Sequence, residues 1–110
     1  MPIYKNDSEK HKVKRVKAIP EREFQQQVID LAHIFHWRVY HTWMSIHSAG
    51  GFPDLTLARG NRLIFAETKS EKGRLTLAQA EWLEILKATG KCEVDVWKPS
   101  QWDEIMAILC

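Results

Sequence analysis

A chain of 110 residues and 12.9 kDa, 45% hydrophobic and 27% charged, has the size of one domain and enough length to bury its own core. No apolar stretch approaches the ~20 residues of a membrane span. The lysine-rich start does not resemble a signal peptide, so a cytoplasmic location is expected. Cys92 and Cys110 form neither a metal-ligand spacing nor a disulfide framework, and they read as reduced thiols.

The formal net charge is only +2, but it is unevenly spread. Residues 1–20 carry six bases (Lys5, Lys10, Lys12, Lys14, Arg15 and Lys17) against two acids (Asp7 and Glu9), while the rest holds ten bases against twelve acids. Residues 1–19 also lack apolar periodicity. They read as a basic arm suited to a polyanion such as nucleic acid, or as a solvated leader, ahead of a folded domain over residues 20–110.

Pro20 and Glu21 suit the start of a first helix, and Glu21 and Glu23 suit its positive end. Phe24, Val28, Leu31, Ile34 and Phe35 give it an apolar stripe that fades near Trp37. Arg38 to Trp43 is rich in β-favouring side chains and reads as a strand, followed by a Ser- and Gly-containing loop over Met44 to Phe52. Asp54 to Ala58 and Leu63 to Thr68 form two further strands around a Gly60-Asn61 turn, a recognised hairpin signal. After a polar loop over Ser70 to Arg74, Thr76 caps a second helix whose face is traced by Leu77, Ala80, Leu83, Leu86 and Lys87, and Gly90 stops it. Cys92 to Trp97 alternates as a strand. Pro99-Ser100 opens a last helix with Trp102, Ile105, Met106 and Leu109 inward. The order α-β-β-β-α-β-α predicts an α/β fold, a central mixed sheet flanked by helices. The last strand is expected to lie parallel to a neighbour through a right-handed crossover.

The hairpin supplies the chemistry. A turn centred on Gly60-Asn61 makes Arg59 face Arg62, Ala58 face Leu63 and, continued outward, Asp54 face Glu67. Two carboxylates directly opposed destabilise a sheet, and a divalent cation offers the reason to keep them. Hard ions such as Mg²⁺ or Mn²⁺ take carboxylate oxygens, waters and a phosphate substrate. Lys69 shares a face with Glu67, where its ammonium can orient a water or neutralise charge developing on phosphorus. The bland alternative has Asp54 ending a loop and Glu67 and Lys69 decorating an edge strand. Glu21 and Gln25 share the inward side of the first helix, as capping groups or as part of a polar site. Gln79 either partners Thr76 in a capping box or reaches the hairpin carboxylates. His33, His36 and His41 lack a convincing fourth zinc ligand. The five tryptophans fall within predicted elements and read as core or dimer packing.

These segments, Glu21-Arg22-Glu23-Phe24-Gln25, Gly51-Phe52-Pro53-Asp54-Leu55, Glu67-Thr68-Lys69 and Gly73-Arg74-Leu75-Thr76 with Gln79, closely resemble the virus-type replication–repair nuclease (VRR-NUC) domain of the PD-(D/E)xK nuclease superfamily. The resemblance spans roughly Glu21 to Glu104. It implies a restriction-endonuclease-like core and, in short phage and bacterial members, a homodimer acting on four-way DNA junctions. It further implies that Asp54 and Glu67 ligate Mg²⁺ or Mn²⁺, with the Thr68 carbonyl as a further ligand, Lys69 as catalytic lysine, Glu21 as the helix acid extending the site and Gln79 as the nearby amide. Leu77 stands where proline is common, and Pro20 where serine or threonine is common. Lys72 and Arg74, together with His47, Ser45 and Ser48 of the long loop, are candidate DNA contacts, and Arg59 and Arg62 are possible phosphate contacts. The reading is a metal-dependent endonuclease for branched DNA. Its rivals are a catalytically silent DNA-binding module, a sequence-specific nickase and an interaction module whose charges are surface decoration.

Overall fold

The computed structural model describes residues 19–43 and 48–110. The basic arm up to residue 18, and the loop positions Ser45 and His47, lie outside the described residues. Helix α1 spans Glu21–Ile34, strands β1, β2 and β3 span Arg38–His41, Leu55–Arg59 and Arg62–Thr68, and helix α2 spans Leu77–Ala88. Strand β4 covers Glu93–Trp97, and a 3-10 turn at Pro99–Gln101 leads into helix α3, Trp102–Leu109. The sheet order is β1-β2-β3-β4, antiparallel except for the parallel β3–β4 pair that α2 connects. The element order and the mixed sheet agree with the pattern of the sequence.

Helix α1 ends in a Schellman arrangement. The Trp37 N–H donates to the Ala32 carbonyl and the His36 N–H to the His33 carbonyl, with His36 in the left-handed region at φ 66°. The helix therefore stops before Phe35 and turns sharply into β1. Strand β1 is shorter than the β-favouring run implies. It pairs with β2 only to His41, and beyond it the Thr42 N–H crosses to the Asp54 carbonyl at 2.8 Å.

One face of the sheet carries the core. Leu55, Leu57, Ile64 and Ala66 are fully buried there beneath Phe24, Val28 and Ala32 of α1 and Ile105 and Leu109 of α3. On the opposite face Phe65 is only half-buried and Ala58 and Leu63 are exposed. Helix α2 covers part of that face, with Leu83 buried and Trp82 edge-on to Phe52, which is in turn edge-on to Phe65.

Several residues assigned inward by periodicity are not. Ile34 (67% exposed), Leu77 (76%) and Met106 (39%) face solvent, while Ile29 and Ala32 take the place of Ile34 in the core. Each of the three lies on a first or last turn, or on the far side of a short helix, where the sheet no longer reaches. In β4 only Trp97 is buried, since the strand is an edge with one neighbour. Among the tryptophans, Trp37 and Trp97 are core residues, Trp82 and Trp102 are half-buried, and Trp43 is exposed and so stands outside the core.

Arg59 and Arg62, flanking the hairpin turn, hold the helix ends together. Arg59 Nη1 donates to the Phe35 and Leu109 carbonyls, both at 2.9 Å, and Arg62 Nη1 donates to the Ile108 carbonyl at 3.0 Å. The guanidinium carbons stand 4.5 and 5.0 Å from the centre of the Trp37 ring, whose Nε1–H itself donates to the Leu109 carbonyl. Arg62 also forms a two-pronged pair with Glu93, whose hydrogen bonds hold the Glu93 carboxyl below its ordinary range. Two cations thus meet the negative C-terminal ends of α1 and α3 and satisfy carbonyls left over by helix geometry. These arginines serve the fold.

Replacing Arg59 by Ala leaves the Phe35 and Leu109 carbonyls without that donor and should cost about 1–2 kcal/mol, seen as a melting temperature roughly 5–10 °C lower. Lysine, a single point donor, should restore little of the loss.

Candidate active site

The site forms where β2 enters the sheet and β3 leaves it. The two-residue turn, with Gly60 at φ +60°, locks the register so that Arg59 pairs with Arg62 and Leu55 with Ala66. The next positions outward are Asp54 and Glu67, as the hairpin reading expects. Asp54 is half-buried, whereas Glu67 is 1% exposed and Lys69 is 9% exposed.

Each carboxylate is held by its own amide. Asp54 Oδ2 accepts from the Thr68 main-chain N–H at 3.0 Å and from the Thr68 hydroxyl at 3.1 Å. That hydroxyl in turn accepts from Gln25 Nε2 of α1 at 2.7 Å. The chain Gln25–Thr68–Asp54 therefore orients one carboxylate from the core face. On the other side Gln79 Nε2 reaches Glu67 Oε1 at 3.4 Å, while Gln79 Oε1 accepts from the Thr76 N–H at 2.9 Å. Both readings of Gln79 hold at once, because the two ends of the amide do different work: the capping box fixes the side chain and the free NH₂ faces Glu67.

The packing that brings α2 to the site depends on Gly51, at φ +89°. A Cβ there would stand 2.6 Å from the main-chain carbon of Ala78, next to Gln79. Only glycine allows the Gly-Phe-Pro-Asp segment to run this close to the start of α2.

Electrostatically, Glu67 is under strain. Burial first, then the neighbouring Asp54 carboxylate, push its carboxyl from 4.5 up to about 9, against an opposing pull from Lys69. Glu67 Oε2 is buried without a hydrogen-bond partner. An orphaned oxygen of this kind, beside a second carboxylate, fits a hard divalent cation that would satisfy the lone pairs and offset the repulsion. No group of three or more His, Cys, Asp and Glu side chains converges closely enough to hold a metal among the described residues. Two carboxylates are what a Mg²⁺-type site needs when waters and a substrate phosphate complete the shell.

Glu21 was placed on the inward stripe but is exposed, because its first-turn position carries it past the strand ends. It acts on Glu67 through charge alone and lines an open cleft of about 420 Å³ with Gln25 and Asp54. Lys72 and Arg74 are exposed on the loop after β3, and Ser48 is exposed on the loop before β2. None of the three converges on the carboxylates through a hydrogen bond. Two contributions escaped the sequence reading. It offered only the Thr68 carbonyl, whereas the Thr68 hydroxyl and N–H anchor Asp54. Gln25 was left between cap and site, whereas it is the donor behind Thr68.

A small mixed α/β domain with two opposed carboxylates and a buried lysine at the open ends of its strands has the layout of a nuclease fold. A family model for the VRR-NUC domain matches residues 6–98, and the chain belongs to that family. Among solved structures, a VRR_NUC domain protein superposes with a TM-score of 0.60 at 22% identity, over 82% of this chain and 84% of the other, so the shared fold is evident. No curated protein matches the chain. Nuclease domains of this family generally use divalent metal ions. No helix of the described residues is long and apolar enough to cross a membrane.

The strain on Glu67 has a measurable consequence. A carboxyl whose folded pKa is raised contributes stability that is present at low pH and lost as pH climbs towards the folded value. Without metal, the wild type should therefore lose stability from about pH 5 to about pH 9, where Glu67→Gln should not. At about pH 8 in chelator, thermal melting should place E67Q above the wild type by several degrees. Equal melting curves across the range would show that Glu67 carries no such strain.

Proposed function

We propose that this protein is a metal-dependent endonuclease that hydrolyses DNA phosphodiesters at branched structures, four-way junctions foremost, and works as a homodimer in the cytoplasm. The observation that carries the reading is the pair Asp54 and Glu67 beside the buried Lys69 in a VRR-NUC domain. Asp54 and Glu67 would hold Mg²⁺ or Mn²⁺, with the Thr68 carbonyl and Glu21 as further ligands. When bound, such an ion lowers the pKa of water and neutralises charge on phosphorus.

The chain's own residues supply the rest. Thr68 and Gln25 fix Asp54, and Gln79 fixes Glu67, so neither carboxylate reorganises as the reaction proceeds. Lys69 places a positive charge where negative charge develops as water oxygen attacks phosphorus and the ester P–O bond breaks. Over the whole hydrolysis the water's hydroxyl ends on phosphorus and its other proton on the departing oxygen. Lys72, Arg74, His47 and Ser48 contact backbone phosphates, and the basic arm of residues 1–19 adds affinity that weakens with salt. A domain this small offers little surface for a branched substrate, and a two-fold pair would present two sites for paired cuts.

Labelled four-way junction and linear duplex, incubated in Mn²⁺ or in excess chelator, test the reading. Paired cuts confined to the junction, abolished by chelator and reduced at least about 100-fold in Glu67→Ala and Lys69→Ala, are the expected outcome. Gln25→Ala should retain activity at a rate reduced by roughly tenfold, as a positioning residue. Bound but uncut DNA under all conditions would assign the domain to binding alone, and cuts that follow base sequence would assign it to nicking.

A further inference from the structure

Trp43 is the largest exposed aromatic side chain among the described residues, at 74%, and it shares a cleft with Asp54. It lines the same cleft as Asp54, Glu21 and the exposed Arg22. Its position there is anchored. The neighbouring Thr42 donates its N–H to the Asp54 carbonyl at 2.8 Å and its hydroxyl to the Pro53 carbonyl at 2.9 Å. His41, two residues back on the same side of the chain, meets the Trp43 ring edge-on, with centroids 5.9 Å apart and planes at 84°. The imidazole thus supports the indole at one place while most of the side chain remains exposed.

This arrangement suits one ligand chemistry. A flat, supported ring binds the π-face of a nucleobase, and such stacking tolerates any sequence. Arg22 lies in the same cleft to meet the backbone phosphate. The cleft, about 420 Å³ and open to solvent, has room for one base against the indole. Inside a continuous duplex both faces of every base are covered. A base at a branch point has lost one stacking neighbour, and only such a base can pack on the indole without first being pulled from the stack.

We propose that Trp43 is a specificity residue that captures, by stacking, the base bordering the scissile phosphate where DNA stacking is interrupted. The inference rests on the nuclease reading for the identity of its ligand, and it explains how the site would prefer branches to linear duplex.

The experiment uses a four-way junction and a linear duplex of matched sequence, each carrying 2-aminopurine at the same position, which borders the branch in the junction. Full-length wild type, Trp43→Ala and Trp43→Phe are titrated in chelator, with fluorescence reporting stacking and the titration reporting affinity. The expected result is a changed 2-aminopurine signal on the junction with the wild type and W43F, lost in W43A. W43A should bind the junction about tenfold more weakly, the size of one lost base–aromatic stack, with unchanged affinity for duplex. Melting temperatures should be the same for all three, since the ring is exposed. Wild-type behaviour of W43A on the junction, or an equal loss on both DNAs, would overturn the proposal. A parallel cleavage assay in Mn²⁺ separates the two readings: a wild type that stacks the junction base but cuts nothing removes the nuclease reading and leaves base capture standing.

Discussion

Two acidic side chains forced against each other at the edge of a core dominate this molecule. A two-residue turn leaves the β2–β3 hairpin no freedom of register, and that register carries Asp54 and Glu67 to one spot. Glu67 is buried there with an unpartnered oxygen and a carboxyl pushed up to about 9. A fold that kept this arrangement for stability alone would do better with apolar side chains of similar size. The juxtaposition makes physical sense when a positive charge joins it.

The rest of the fold can be understood as support for that spot. The sheet is covered unevenly: α1 and α3 seal one face into a core, and α2 leaves the other partly open. Each helix that approaches the strand ends sends one amide inward, Gln25 from α1 and Gln79 from α2. Gly51 permits the approach of α2, and the Phe52–Phe65–Trp82 contacts hold it there. At the opposite end of the sheet, Arg59, Arg62 and Trp37 gather the C-terminal carbonyls of α1 and α3. Cationic groups are therefore divided by role. Those at the turn are engaged by the fold, whereas Lys69 is buried next to Glu67 in sequence and Arg22, Lys72 and Arg74 are exposed.

Similarity to known proteins adds a consistent but coarser statement. The VRR-NUC match fixes the family and the nuclease fold, and the structural neighbour at 22% identity shares the architecture. Choice of ion, preference for branches and pairing into dimers belong to the proposed function and go beyond that match.

Local signals in the sequence determined a great deal. The Gly60-Asn61 turn, the apolar runs on either side of it and the Thr76–Gln79 cap depend on neighbours within a few residues, so the hairpin register, the opposition of Asp54 to Glu67 and the element order could be read directly. What depended on distant packing could not. Ile34, Leu77 and Met106 have helical spacing but lie where no sheet passes, and β1 ends at His41 although the Thr42 N–H still bonds the Asp54 carbonyl in register. The partnership of Gln25 with Thr68 spans 43 positions, and the closure of Arg59 on Leu109 spans 50. Periodicity reports which side of an element is apolar, and only the tertiary arrangement decides what that side meets. Trp43 shows the difference most plainly: by residue type it belongs in a core, and the early end of β1 leaves it at the mouth of the candidate active site.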